Sequence, residues 1–531
     1  MSEQNIGMPG LGGKGLPISG GTEAPRVDAA ILGGRWASSA SRVWEILKLI
    51  FSFPAMLGTF LVGATFYDGR TFAVDPDVWW HMKAGQTILA TRHWPTVDAY
   101  SFTVHGQPWM AYEWLGDVLI GAVARIGGLR GLDALLIALG SAVMIALYVF
   151  GTIRSGNSKA GFVAAAVLVS LATPSFTMRP QMLGYLFLVL TLIVLELFRQ
   201  GKQWPIWFLP ALVLVWVNTH GSFIIGLGVI LVYLVCGLKE FRMGGIEAKK
   251  WMPKERVRLE FVFLLCLAAL PITPYGTRLA VYPFDMAVAQ PINVANVLEW
   301  HSMPFDLAVG KIFLALVFGF FAAQMALSLK WRLEELTLFL GGVAMACVHL
   351  RFMLLFVPFF TPLLATVVAR WLPCYDARKD KYILNVVLMA GVIAAMVHYF
   401  PSRASLDKTV AEKFPTKAVD YLREHPVPGP MFNSYGFGGY LVWNGQKVFI
   451  DGRGDLYERG GVFSDYLQVA QVKPTAAAIL RNYGIQSCLI ERGAILASLL
   501  GASPEWRELY SDSTSEIFVR QKTGEAAVQQ R

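Results

Sequence analysis

Charged side chains make up only 16% of this 531-residue sequence, too few to clothe a soluble body of that size, while 55% of its residues are hydrophobic. With a mean hydropathy of +0.48, the chain carries more apolar surface than water tolerates. That excludes an ordinary soluble enzyme and implies an integral membrane protein. Cysteine is scarce as well. Cys236, Cys266 and Cys347 fall in apolar stretches, Cys374 in a basic loop and Cys488 alone near the C-terminus, which supports neither a disulfide framework nor a metal cluster. A phosphate-binding loop is missing too: Gly436-Phe-Gly438-Gly439 lacks the strand, the spacing and the lysine that a nucleotide site needs. No repeat of fixed period is visible. Residues 1–40 are Gly-rich and polar with no apolar core of their own, which reads as a disordered tail rather than a cleaved signal peptide.

What the chain does have is apolar length. A crossing helix needs roughly 20 mostly apolar residues, and candidates run at 45–67, 131–152, 160–175, 181–199, 204–218, 222–238, 257–273, 311–329, 334–350, 352–371 and 382–400. The net charge of +9 would suit a nucleic-acid binder, but its distribution has a plainer reading. Lys and Arg gather in the tail, at Arg154/Lys159, at Arg199/Lys202, over Lys239–Arg258, at Lys330/Arg332 and over Arg370–Lys381. These are alternate loops, which the positive-inside rule assigns to the cytoplasm. The stretch 113–127 is apolar enough to be another span, yet counting it would invert every later loop; it reads as an amphipathic or re-entrant helix.

The expectation is a polytopic α-helical membrane protein of about eleven transmembrane helices. It has a cytoplasmic tail over 1–44, a transmembrane region over 45–400 with a long first external loop (68–130), and an external C-terminal α/β domain over 401–531. In that last region the pattern predicts helix near Val410–Glu424 and strands over Cys488–Ile490 and Glu516–Val519. Short alternating runs occur at Tyr440–Trp443 and Lys447–Ile450.

With this topology the chemically interesting residues sort to one face. They are Asp75-Pro-Asp77-Val-Trp79-Trp80-His81, Arg179-Pro180, Asn218-Thr-His220-Gly221, Glu299-Trp300-His301 and His349-Leu-Arg351. Carboxylates, imidazoles and guanidinium groups gathered at one bilayer face suit a polar, anionic group presented from the lipid. Asp75 and Asp77 can accept a proton from a hydroxyl or bind a divalent cation, or can merely cap the helix that follows. Arg179, His220 and Arg351 are candidates to hold a phosphate by charge-assisted hydrogen bonds, joined by His81; snorkelling to the headgroups is the plainer role for the arginines. Glu113 and Glu299 are further external carboxylates, suited to a metal or to structural hydrogen bonds.

Asp75-Pro-Asp-x-Trp-Trp-His, Pro95-Thr-Val-Asp98-Ala-Tyr-Ser-Phe-Thr103, Gln107-Pro-Trp109 and Glu113-Trp114 together resemble a group of bacterial membrane proteins like the GT-C superfamily of glycosyltransferases. The resemblance covers residues 45–520. It implies an inverting glycosyltransferase of the bacterial inner (cytoplasmic) membrane that serves the cell envelope. A polyprenyl-phosphate-linked sugar would be the donor, and a glycan, lipid or protein the acceptor. It also implies that Asp77 is the essential first-loop aspartate, with Asp75 the close alternative, and that Tyr435, Asp451, Arg453 and Asp455 lie toward the acceptor, a structural role for the Gly-rich turn that carries Asp451 and Arg453 being the equal alternative. A divalent cation (Mg or Mn), held by Asp77 and Glu113, is left open. The rival is a transporter or flippase of a lipid-linked or anionic solute; spans almost free of ionisable residues and the lack of an inverted repeat count against it.

Overall fold

The computed structural model describes residues 39–69, 75–288 and 290–521. Most of the expected tail, 1–38, lies outside the described residues, as do 70–74 of the first loop. The chain divides into Met1–Lys48 and Leu49–Arg531, and the site belongs wholly to the second.

Each apolar segment singled out above is helical, but hydropathy overstates how far the helices run. Among the described residues five helices are long and apolar enough to cross a membrane: Trp114–Ser155, Gln181–Arg199, Ala308–Leu327, Leu350–Val368 and Tyr382–Tyr399. Others are shorter, from 10 residues in Phe208–Val217 to 17 in Phe53–Gly69. At a rise of 1.5 Å per residue such helices fall short of a hydrocarbon core about 30 Å thick. Polar turns end them early. Asn218, for example, closes Phe208–Val217 by donating from Nδ2 to the Leu214 carbonyl at 2.8 Å.

The helix Trp114–Ser155 breaks at Gly128 (φ 55°, ψ −147°), a conformation open to glycine. The arm before the break is the 113–127 stretch. It packs on the helix Val78–Thr91 so closely that a Cβ on Gly85 would fall 1.8 Å from the Asp117 carbonyl oxygen. This contact sets one wall of the site. The far ends of three helices carry a separate network of alternating charge: Arg154 Nη2 to Glu335 Oε2 (3.0 Å), Arg199 Nη2 to Glu334 Oε1 (2.8 Å) and Arg332 Nη1 to Glu196 Oε2 (2.6 Å). The basic loops and the polar motifs thus occupy opposite ends of the same helices.

A four-stranded sheet follows the last long helix, in the order Met431–Asn433, Ser487–Glu491, Ser515–Arg520, Trp506–Ser511. The first pair is parallel and the other two antiparallel. The expected strands Cys488–Ile490 and Glu516–Val519 fall inside two of these, with Cys488 opposite Phe518. Tyr440–Trp443, in contrast, is helical, within Gly438–Trp443. Four residues are too few for periodicity to decide, and packing does so instead: Leu441 and Val442 are buried, and Tyr440 sits edge-on to Trp79 at 4.9 Å. Lys447–Ile450 forms no strand. Val448 bridges Ser101 and accepts the Phe102 N–H at 3.1 Å, which ties the first loop to the sheet region.

Candidate active site

A cavity of about 520 Å³ opens where the polar motifs meet the sheet region. Asp77, His81, Glu113, Arg179, His220, Glu299, Arg351 and Tyr435 all line it. Residues separated by hundreds of positions therefore share one space, because the turns that carry them are at the same end of the helices.

Asp77 stands at the N-cap of Val78–Thr91, yet its side chain makes no capping bond. Its own N–H donates to Asp75 Oδ1 at 2.9 Å, and its carboxylate faces Arg179 Nη2 at 3.0 Å. Arg179, on the turn before Gln181–Arg199, grips Asp75 with two N–H groups, Nη2 to Oδ1 at 2.9 Å and Nε to Oδ2. Its Nη1 reaches Glu299 at 3.5 Å. One cation is shared among three carboxylates. Burial accordingly pushes the Asp77 carboxyl up to about 7; Arg179 opposes the rise, and Asp75 and Glu299 add to it. A group near 7 is suited to accept a proton at neutral pH. The sheet region abuts it directly: a Cβ on Gly452 would lie 1.7 Å from Asp77 Oδ1, so only glycine leaves that carboxylate its place.

The opposite wall is built from Glu113, His220 and His81. Glu113 Oε1 lies 3.3 Å from His220 Nε2, and Oε2 lies 3.7 Å from His81 Nε2. His81 is buried and bonded through Nδ1 to Asp117 Oδ1 at 2.6 Å. Burial pushes His220 down to about 3, with Arg351 and Arg179 adding to the fall, and holds His81 well below the usual imidazole range. Both rings are neutral at neutral pH. The positive charge available to a phosphate here is therefore that of Arg179 and Arg351. Arg351 stacks over Trp300 at 4.1 Å and stands 3.9 Å from Glu299.

Asp451 and Arg453 sit elsewhere. Both are wholly buried, and Arg453 joins Asp451 to Asp98 of the first loop at 2.6 and 2.7 Å. Their neighbours Gly452 and Asp455 do line the cavity. Asp117 escaped the sequence reading. For Asp117 a signal existed, since four residues from Glu113 places both on one helical face. As for a metal, no three His, Cys, Asp or Glu side chains among the described residues converge as ligands, and of the expected pair Asp77 is held by Arg179 at 3.0 Å and Glu113 by His220 at 3.3 Å. The present arrangement does not fit one, and no step below is routed through it.

No protein-family model and no curated protein matches the chain. Solved structures do. The chain is similar over 92% of its length to the archaeal oligosaccharyltransferase AglB from Archaeoglobus fulgidus, solved with an inhibitory peptide and a dolichol-phosphate (10% identity, TM-score 0.51, 75% of that chain covered). It is similar over 92% to the arabinofuranosyltransferase AftD from Mycobacteria (14% identity, TM-score 0.50, 42% of that chain covered). ArnT from Cupriavidus metallidurans, bound to undecaprenyl phosphate, aligns over 91% of this chain and 99% of its own at 12% identity and a TM-score of 0.49. At such identity the likeness is one of fold: the chain shares the fold of AglB and AftD.

Proposed function

We propose that this protein is an inverting membrane glycosyltransferase that moves a sugar from a polyprenyl-phosphate-linked donor to an acceptor hydroxyl. The observation that carries the reading is Asp77, a carboxylate poised near neutrality in a cavity at the ends of apolar helices and beside an arginine. The acceptor O–H gives its proton to Asp77 while its oxygen bonds to the anomeric carbon. The bond from that carbon to the phosphate oxygen breaks, and the phosphate leaves with the electron pair. Attack opposite the leaving group inverts the centre. Arg179 and Arg351 meet the charge that develops on the phosphate, the kind of preorganised stabilisation on which such sites depend. Arg179 also links the two events: drawn toward a phosphate, it ceases to hold Asp77 down, and the base strengthens as the donor arrives. That AglB was solved with a dolichol-phosphate supports a lipid carrier here.

The proposed setting is the bacterial inner membrane, with the N-terminus cytoplasmic and the cavity and sheet region external. The basic loops at the opposite helix ends support that orientation. Labelling of Ser302→Cys from outside intact cells, with Gly245→Cys protected, is the expected result; the reverse would place the cavity inside.

Mass spectrometry of lipid co-purified from the native membrane identifies the donor's carrier, and a transfer assay with it tests the base. Asp77→Asn keeps the side chain's size but cannot accept the proton. Transfer should fall about a hundredfold or more, since general bases are worth roughly 10² to 10⁴, with donor binding retained. Wild-type transfer by both Asp77→Asn and Asp75→Asn would remove the catalytic centre and favour the transporter.

A further inference from the structure

The two oxygens of Glu113 have unlike neighbours. His220 faces Oε1, and its Nδ1 is already occupied, accepting the Ser222 N–H at 3.1 Å. The ring proton therefore sits on Nε2 and is donated to Oε1. Oε2 faces His81 Nε2 at 3.7 Å, beyond hydrogen-bond reach. The other ring nitrogen of His81, Nδ1, is engaged with Asp117 Oδ1 at 2.6 Å. An ionised Glu113, only 8% exposed, would leave Oε2 without a donor in a cavity that also holds Asp77, Glu299 and Asp455. Burying a charge so poorly supplied is costly. A carboxylic acid with its proton on Oε2 meets no such cost, and it has an O–H to offer.

We propose that Glu113 works as a neutral carboxylic acid whose Oε2–H donates a hydrogen bond to the phosphate of the lipid-linked donor, with His220 and the His81–Asp117 pair as positioning residues that hold it in that form. The inference rests on the glycosyl-transfer reading for the identity of the ligand, and it adds the means by which an acidic cavity admits an anion. A neutral acid supplies a donor without repulsion, as a carboxylate would not. The charged and titratable groups facing Glu113 are His81, Asp117, His220, Tyr112, Asp77, Arg179, Arg351 and Asp455. Burial is the main reason its carboxyl lies at about 8; Arg179 and Arg351 lower it, and Asp77 and Asp455 raise it. Above that pH Glu113 ionises and the site turns against phosphate.

The test is binding of a short prenyl phosphate, farnesyl phosphate, to the full chain in nanodiscs. It is made in an Asp77→Asn background from about pH 7.5 to about 9.5, where a phosphate monoester with its second pKa near 6 keeps a constant charge. With Glu113 present, affinity should fall above about pH 8, approaching tenfold for each pH unit. In Glu113→Gln, whose amide still donates, it should stay level across the range. The infrared carbonyl band of protonated carboxylic acids should be present at neutral pH and lose intensity in the Glu113→Gln protein, the remainder coming from Asp117, whose carboxyl burial also pushes up. Affinity that is level with pH while Glu113 is present, or that falls equally in Glu113→Gln, overturns the inference and leaves glycosyl transfer standing. Absence of prenyl phosphate binding at every pH overturns both.

Discussion

Two arginines in this chain are each gripped by aspartates, and they do opposite work. Arg453 is wholly buried and closed: Nη1 donates to Asp98 Oδ1 at 2.7 Å, Nη2 to Asp451 Oδ2 at 2.6 Å and Nε to Asp451 Oδ1 at 2.8 Å. The rings of Trp109 and Tyr100 flank the guanidinium at 4.7 and 5.0 Å. Asp98 takes further hydrogen bonds from Ser101, through N–H at 3.0 Å and hydroxyl at 2.7 Å. Burial pushes Asp98 up, but Arg453 and Ser101 more than offset it and hold the carboxyl below its ordinary range. Arg179 has a side chain 23% exposed and shares itself among Asp75, Asp77 and Glu299, so Asp77 stays short of donors and rises to about 7. Residue type does not separate a staple from a reactive centre. The number of donors per carboxylate, and access to the space beside it, do.

The comparison is broken most forcefully at Arg453. Arg453→Met should destabilise the chain by about 3–5 kcal/mol, because it strands two buried aspartates without a counter-ion. Thermal unfolding in detergent measures this. A wild-type melting temperature would show that the cluster is not the staple between the first loop and the sheet region.

Next comes Gly452, which lies between the two clusters. Alanine there places a Cβ 1.7 Å from Asp77 Oδ1, and the carboxylate must move aside. A misplacement of about 1 Å at a reacting group can cost on the order of 10² in rate, so transfer should fall by about that factor while the fold holds. Unimpaired transfer in Gly452→Ala would mean that the position of Asp77 does not matter to the reaction.

Arg179→Ala should weaken donor binding by about 1.5–3 kcal/mol, the worth of a hydrogen bond to a charged group. Arg179→Lys should restore only part of it, since the planar fork is lost. Equal donor affinity in all three proteins would make Arg179 a second Arg453, a structural partner of Asp75 and nothing more.

These two clusters also mark what could be read in the sequence. Asp77, Arg179, His220, Glu299 and Arg351 were legible as a set because each interrupts apolar sequence at a turn, and turns at one end of a bundle must be near each other. Asp451 and Arg453 looked equally polar and equally placed, on a Gly-rich turn. Nothing local says that Asp98, far earlier in the chain, closes over them. Asp117 was hidden inside the apolar run Leu115–Ile120, where only its spacing from Glu113 hinted at a shared face. The helix Gly438–Trp443 and the short helices among the apolar segments were missed for a related reason: both depend on packing and turn chemistry that hydropathy does not register.

The smallest expected effect is the most specific to the open cluster. Asp77 must be unprotonated to take the acceptor's proton, and its carboxyl lies at about 7, above the ordinary 3.8. Below about pH 7 it is mostly protonated, so kcat/KM should fall as the pH drops, by about tenfold for each pH unit, and should level off between about pH 7 and the ionisation of Glu113 at about 8. Asp75 contributes to that position twice. Its negative charge raises Asp77, and its two bonds to Arg179 occupy the cation that would lower it. Asp75→Asn relieves both, so the acid limb should move to lower pH while the plateau drops modestly, the base being weaker. Profiles of the wild type and the variant from about pH 5 to about 7.5 decide the matter, because a shift in the opposite direction, or a rate indifferent to pH in both proteins, would show that Asp77 is not the group that titrates.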